Sequence, residues 1–173
     1  MQAIITTSWD DGYPSDLKLA ELLKKYDIPA TFYIPIGNVE RVCMDAQQIR
    51  EIARDFDIGG HGYHHVNLTT VPPEEAEREI MEGKSRLEQI IGREVLSFCY
   101  PCGSFNNEII SIVRGAGFIG ARTVRLLSRS IKDAFRMDTT ICATDTQFGY
   151  YAKSSIASRD PRLSYLMLRN KLF

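Results

Sequence analysis

Ile4-Ile5-Thr6-Thr7-Ser8-Trp9-Asp10-Asp11-Gly12 is the stretch on which the reading of the whole chain turns. An apolar, β-branched run predicts a strand over about residues 3–9. It stops abruptly in two adjacent carboxylates and a glycine. A strand that ends this way delivers two acids to one rim of a sheet or barrel. Neighbouring carboxylates repel, which raises the pKa of one unless a cation relieves them. A metal ion or a proton-transfer role would suit them. Taken alone, Asp-Gly after a strand reads better as an ordinary turn.

Outward from this stretch, helices and strands alternate. Leu19, Leu22, Leu23 and Tyr26 recur at three- and four-residue spacing and predict a first helix that starts near Ser15-Asp16, with Ser15 as its cap. Residues 30–36 read as a second strand. Asp45 caps a helix that runs to about Arg54, and a short third strand spans about Asp57 to Gly60. Pro72-Pro73-Glu74-Glu75 opens a helix that Gly92 can end. Residues 95–100 form a fourth strand, Asn106 or Asn107 opens another helix, and residues 118–123 form a fifth strand. Residues 135–141 suggest a sixth, and Pro161 starts a terminal helix. The alternation implies α/β architecture with parallel strands, either a (β/α) barrel or a doubly wound sheet. No Gly-x-Gly-x-x-Gly follows the first strand, which counts against a Rossmann domain. In either architecture the working face lies at the C-terminal ends of the strands.

All three histidines, His61, His64 and His65, lie at the end of the third strand. His61 and His65 are four residues apart, so one turn or a tight loop can aim both at one point. Imidazole is a preferred ligand of zinc and related ions, and two histidines with one carboxylate leave room for water. Paired structural histidines explain the spacing about as well. The like placement of Asp10 and Asp11 moves the balance toward a metal site. His64 is expected to face solvent or to support the others. Gly59, Gly60 and Gly62 read as turn glycines, or as places where backbone passes close to a ligand.

These segments resemble the polysaccharide deacetylases, the metal-dependent chitin, chitooligosaccharide and peptidoglycan N-deacetylases. The resemblance rests on Trp9-Asp10-Asp11-Gly12, Ala30-Thr31-Phe32-Tyr33-Ile34, Ile58-Gly59-Gly60-His61-Gly62-Tyr63-His64-His65 and Ser97-Phe98-Cys99-Tyr100-Pro101-Cys102-Gly103, in order and spacing. It implies a distorted, incomplete (β/α) barrel with parallel strands. It also implies a metal triad of Asp11, His61 and His65, with Asp10 as general base and the backbone N–H of Cys102 as oxyanion donor. The implied cofactor is a divalent metal, zinc with cobalt as the alternative. The implied reaction is hydrolysis of an acetamide on an N-acetylated sugar or polysaccharide. Hydrolysis of a small linear or cyclic amide, or a catalytically impaired sugar- or metal-binding relative, are the alternatives.

Three departures accompany the resemblance. Gly62 stands where the family often has Ser or Thr. Cys99 and Cys102 stand at the arginine and tyrosine of Arg-x-Pro-Tyr-Gly. No histidine follows His65 to match the family's late Leu-x-His motif. Arg122 is the candidate to replace the lost arginine, and the missing motif predicts a single domain over 1–173 that lacks its C-terminal portion.

The remaining features have plainer expectations. Net charge is −1 over 173 residues, with 44% apolar and 25% charged residues, which suits a globular fold and argues against nucleic-acid partners. No apolar run reaches the length that spans a bilayer. The N-terminus shows no leader pattern, so a cytoplasmic chain is expected, with an extracellular or periplasmic one still open. Cys43, Cys99, Cys102 and Cys142 show no disulfide framework; Cys99 and Cys102 are expected to pack rather than to act as a redox pair. Tyr33, Tyr63, Tyr100 and Phe105 are candidates to line a sugar cleft. Arg122, Arg125, Arg129, Lys132 and Arg136 read as a solvated basic loop. The apolar face of Leu163 to Leu172 suggests a covering helix or a homo-oligomer contact.

Overall fold

The computed structural model describes residues 7–38, 41–125 and 133–139. The strands are β1 (Thr7–Asp10), β2 (Ala30–Ile34), β3 (Asp57–Gly60), β4 (Ser97–Cys99) and β5 (Gly120–Arg122). Helices α1 (Asp16–Lys25), α2 (Ala46–Ile52), α3 (Pro73–Ile91) and α4 (Asn107–Gly115) connect them, and a single 3₁₀ turn covers Pro101–Gly103. The five strands are all parallel and lie side by side in sequence order. They form the curled half-barrel expected of an incomplete (β/α) barrel. The expected terminal helix, Arg129, Lys132, Cys142 and Leu163–Leu172 lie outside the described residues.

Local chemistry sets the element ends. Asp45 Oδ1 accepts from the N–H groups of Gln47 and Gln48 at 2.8 and 2.9 Å, and Gln48 Oε1 accepts from Asp45 N–H at 2.9 Å. This reciprocal box satisfies donors that the first turn of α2 would leave unpaired. Asn106 Oδ1 caps α4 through Ile109 N–H at 2.9 Å. Gly92, at φ 72°, ends α3 in the left-handed conformation. The expected Ser15 cap is not made. Ser15 already has helical angles and no side-chain bond to the helix, because the chain arrives through a turn in which Tyr13 C=O accepts from Asp16 N–H at 2.9 Å.

The apolar stripe of α1 also differs from the expected one. Ala20 and Leu23 are buried, whereas Leu22 and Tyr26 are exposed at 51% and 61%. β4 and β5 are shorter than their apolar runs. Their pairing continues beyond the strands by isolated bonds, Ile119 N–H to Leu96 C=O and Tyr100 N–H to Arg122 C=O. The expected sixth strand is reduced, within residues 133–139, to one parallel bridge between Arg122 and Met137. Residues 140 and 141 lie outside the described residues.

The core contains Phe32, Ile34 and Phe98 from the strands, Tyr100 just after β4, and Ile80, Leu87 and Val113 from the helices. Each such side chain contributes about 1.5–3 kcal/mol on burial. Gly59 and Gly60 are the last two residues of β3, where the sequence placed the end of the third strand, and not turn glycines. A Cβ at Gly59 would lie 2.3 Å from a ring carbon of Tyr33, and one at Gly60 would lie 3.0 Å from Phe118. The strand is thus bare where aromatic rings lie across it. Tyr33 is buried and cannot swing away. Gly59→Ala is therefore expected to destabilise the chain by about 1–3 kcal/mol through overpacking, read as a fall in the urea midpoint.

Candidate metal centre and its surroundings

Register brings the functional residues to one rim. Asp10 pairs with Tyr33, Ile34 with Gly60, Gly60 with Phe98, and Cys99 with Arg122. The residues that close β1, β3, β4 and β5 therefore stand at the same end of a parallel sheet. At Asp11 and Gly12 the backbone turns left-handed, with φ of 75° and 63°, so the second carboxylate leaves the strand direction and points across the rim.

There it meets the histidines. His61 Nε2 lies 3.4 Å and His65 Nε2 3.1 Å from Asp11 Oδ1. One ligand atom from each of Asp11, His61 and His65 falls within 4.8 Å of the others. His61 is 2% exposed, and its Nδ1 lies 2.7 Å from the Cys99 carbonyl oxygen. A carbonyl only accepts, so Nδ1 carries a proton, and Nε2 is the ring atom turned to the carboxylate. A lone pair that faces a carboxylate is repulsive unless a cation or a proton lies between them. Two imidazoles and one carboxylate form a donor set that suits zinc and related divalent ions.

The surroundings hold Asp11 ionised. Hydrogen bonds from His61 and then His65 keep its carboxyl far below the ordinary carboxylate range, against the opposing effect of burial. Tyr13 Oη donates to the other oxygen, Oδ2, at 2.9 Å, and Arg41 donates in turn to Tyr13. Sequence reasoning missed Tyr13, since a tyrosine after Asp-Asp-Gly carries no motif of its own.

Asp10 sits beside this group with a different partner. Arg122 Nη2 bonds Asp10 Oδ2 and also reaches Cys99 Sγ at 3.2 Å. Nη1 of the same guanidinium donates to Thr139 Oγ1 at 3.0 Å, and the group lies 5.3 Å from the centroid of the Tyr33 ring. Arg122 thus belongs to the site and not to a solvated loop. Asp10 Oδ1 is buried and has no hydrogen-bond partner among the described residues. Cys99 is fully buried, and burial pushes its thiol well above the ordinary range. Cys102 is exposed and takes a left-handed φ of 57°, so of the two cysteines only Cys99 is the packing residue expected. Tyr33 and Tyr100 are buried and line no cleft, and burial pushes the Tyr33 hydroxyl up to about 12. Tyr63 and Phe105 are partly exposed.

Two further acids were not singled out in the sequence. Glu79 of α3 contacts the histidine loop, and His64 pairs with it at 2.6 Å while remaining half exposed. Asp16 is 8% exposed, and its Oδ2 has no hydrogen-bond partner among the described residues. Burial pushes its carboxyl up to about 6, a hydrogen bond from the Tyr13 backbone opposes this, and the charges of Asp11 and Asp10 add to the rise. Between about pH 4 and this value the folded chain keeps a proton that the unfolded chain has released. Stability therefore falls as pH rises through that window. In the metal-free chain Asp16→Asn is expected to add about 1 kcal/mol at pH 7 after allowance for solvent screening. It should also flatten the fall, which thermal melts at several pH values would show.

A profile of the family described as "Polysaccharide deacetylase" matches residues 2–121. A peptidoglycan-N-acetylglucosamine deacetylase of Bacillus cereus is 27% identical over 119 residues, which is 68% of this chain and 54% of that protein. The chain spans roughly half the length of the curated relatives it matches. The structure of a Streptococcus pyogenes deacetylase in complex with acetate superposes with a TM-score of 0.75 at 17% identity, covering 85% of this chain and 68% of that one. A family pseudoenzyme from Bacillus anthracis superposes at 0.54 with 21% identity, over 68% of this chain and 42% of that one. No helix among the described residues is long and apolar enough to cross a membrane. With the profile covering β1 to β4, the start of β5 and both halves of the acid–histidine rim, the chain belongs to the polysaccharide deacetylase family.

Proposed function

We propose that the chain hydrolyses the acetamide of an N-acetylated sugar, within an oligosaccharide or polysaccharide, with a divalent metal on Asp11, His61 and His65. The observation that carries this reading is the convergence of three electron-pair donors within 4.8 Å, with a second carboxylate beside them. A bound zinc or cobalt ion supplies Lewis acidity toward a carbonyl oxygen and makes water more acidic.

The chain's own residues carry the rest. Asp10 divides its work between two oxygens. Oδ2 is anchored by Arg122, and Oδ1 has no hydrogen-bond partner among the described residues, which leaves its lone pairs to take the proton from an attacking water. Arg122, also held by Thr139 and packed over Tyr33, sets the angle of that carboxylate. The Cys102 N–H is assigned to the oxyanion, since a peptide N–H in the first residues of a turn has no partner within the turn. A thiol in place of a phenol leaves that donor intact. When the C–N bond breaks, acetate and a free amine form, and the proton on Asp10 passes to the amine nitrogen.

The test is acetate release from N-acetylglucosamine oligomers by the zinc-loaded chain. One free amine should appear per acetate; a chelator should stop the reaction, and zinc or cobalt should restore it. A chain that binds zinc but releases no acetate would favour a second reading, a sugar-binding relative without turnover. Cys99, which stands at the position of the family's arginine, is the observation that supports that alternative.

A further inference from the structure

We propose that Glu79 is a positioning residue that sets the histidine loop in its metal-binding shape before any ion arrives. The inference rests on the metal reading above and assigns its support to a residue outside the ligand set.

The loop His61–His65 needs such support. Gly62 has a φ of 76°, and His65, which is no glycine, has a φ of 61°. A bulky residue in the left-handed region persists only where its surroundings over-determine it. Gly62 also offers no side chain to hold its own loop. α3 supplies the hold from below, at two successive turns of one face. Glu79 Oε2 accepts from Tyr63 N–H at 3.1 Å and from His64 N–H at 2.8 Å. Its other oxygen, Oε1, accepts from His64 Nδ1–H at 2.6 Å. Glu79 is 8% exposed, so these are charge-assisted bonds in a largely dry place. One turn on, Gly83 lets the helix press against the loop. A Cβ there would lie 2.7 Å from the Gly62 carbonyl oxygen and 2.8 Å from its carbon.

Glu79 bonds two of the three residues between the ligands, Tyr63 and His64, and neither ligand directly. It thereby fixes where His61 and His65 stand, with ring centroids 4.8 Å apart. A loop held this way loses little freedom when a metal binds, which strengthens binding without an added contact.

The experiment uses the full 173-residue chain and zinc as the probe. Glu79→Asp keeps the charge and withdraws it by one methylene; Glu79→Gln keeps the length and one acceptor oxygen. Zinc affinity is measured by competition with a chromophoric chelator, and the melting temperature of each metal-free variant is recorded beside it. Glu79→Asp is expected to weaken zinc binding about 10–100-fold, as loss of an outer-sphere partner does. Glu79→Gln should retain most of the affinity. In the metal-free wild-type chain the Tyr63 and His64 amides should exchange with solvent as slowly as those of α3, a readout that needs no variant. Free exchange of those two amides would overturn the proposal. The two readings fail separately. A wild-type chain that takes up no zinc sinks the metal centre, and Glu79's role toward it. Zinc held equally well by wild type and by Glu79→Asp sinks the clasp alone.

Discussion

Asp10→Asn is expected to lower acetate release about 10²–10⁴-fold while leaving zinc affinity near the wild-type value. The two halves of this result belong together. Asp10 is not among the three converging donors, whose carboxylate is Asp11. Its partner is Arg122, and its free oxygen is the one without a hydrogen bond. An amide of the same shape still fills the space and still accepts from the guanidinium, but it takes no proton from water. The loss should therefore fall on turnover and not on substrate binding, which steady-state kinetics with equilibrium zinc titration would separate. Arg122→Ala should fall between wild type and Asp10→Asn. It leaves the base in place and removes what aims it. If zinc-loaded Asp10→Asn released acetate at the wild-type rate, the assignment of the base would be wrong.

His61→Ala should abolish stoichiometric zinc binding, and with it all metal-dependent hydrolysis. Of the three donors His61 is the most firmly held, since it is 2% exposed and its Nδ1–H is committed to the Cys99 carbonyl. Removal of the ring takes away one ligand, empties a buried site and leaves the Cys99 oxygen without that donor. The expected cost to stability is about 1–3 kcal/mol for the orphaned acceptor and the cavity. Elemental analysis after chelation and zinc repletion should find about one ion per wild-type chain and none on the variant, the one-to-one ratio that a single closed donor set requires. His64→Ala provides the contrast. That ring is half exposed and turned to Glu79, so its loss should leave one ion bound.

Much of this site could be read from the sequence because its parts sit where strands stop. A β-branched run that breaks at Asp10 and Asp11, and a glycine-rich one that breaks at His61, announce both their element and their rim. Arg122 was legible for the same reason, as a charge near the end of a predicted strand. Parallel register then does the assembly, and register follows from which faces are buried. Other features resisted reading because they depend on contacts across the chain. Tyr33 over Gly59 is a packing relation between two strands, and neither residue signals it alone. Of the α1 stripe, Leu23 is buried and Leu19 packs against the core as expected, whereas Leu22 and Tyr26 are exposed and Ala20 takes the remaining buried place, because helical spacing alone does not say which neighbouring apolar residues face the sheet. Glu79 left a faint trace. It lies among Ala76, Ile80, Gly83 and Leu87 on the buried face of α3, and a carboxylate on such a face implies a partner.

The strictly sequential strand order has a bearing on how the chain acquires its chemistry. Each strand pairs with the one made just before it, so the sheet can grow by short-range additions from β1 onward. The proposed metal donors all precede α3, and their loop takes its shape once Glu79 of α3 and the Cys99 carbonyl of β4 have docked beside it. The bond between Arg122 and Asp10, which spans 112 residues, has to await β5. A nascent or partly unfolded chain could thus capture an ion while its base remains unaimed. Metal capture and hydrolytic competence would then mark two successive stages of folding, and the arginine on the last described strand is the latch between them.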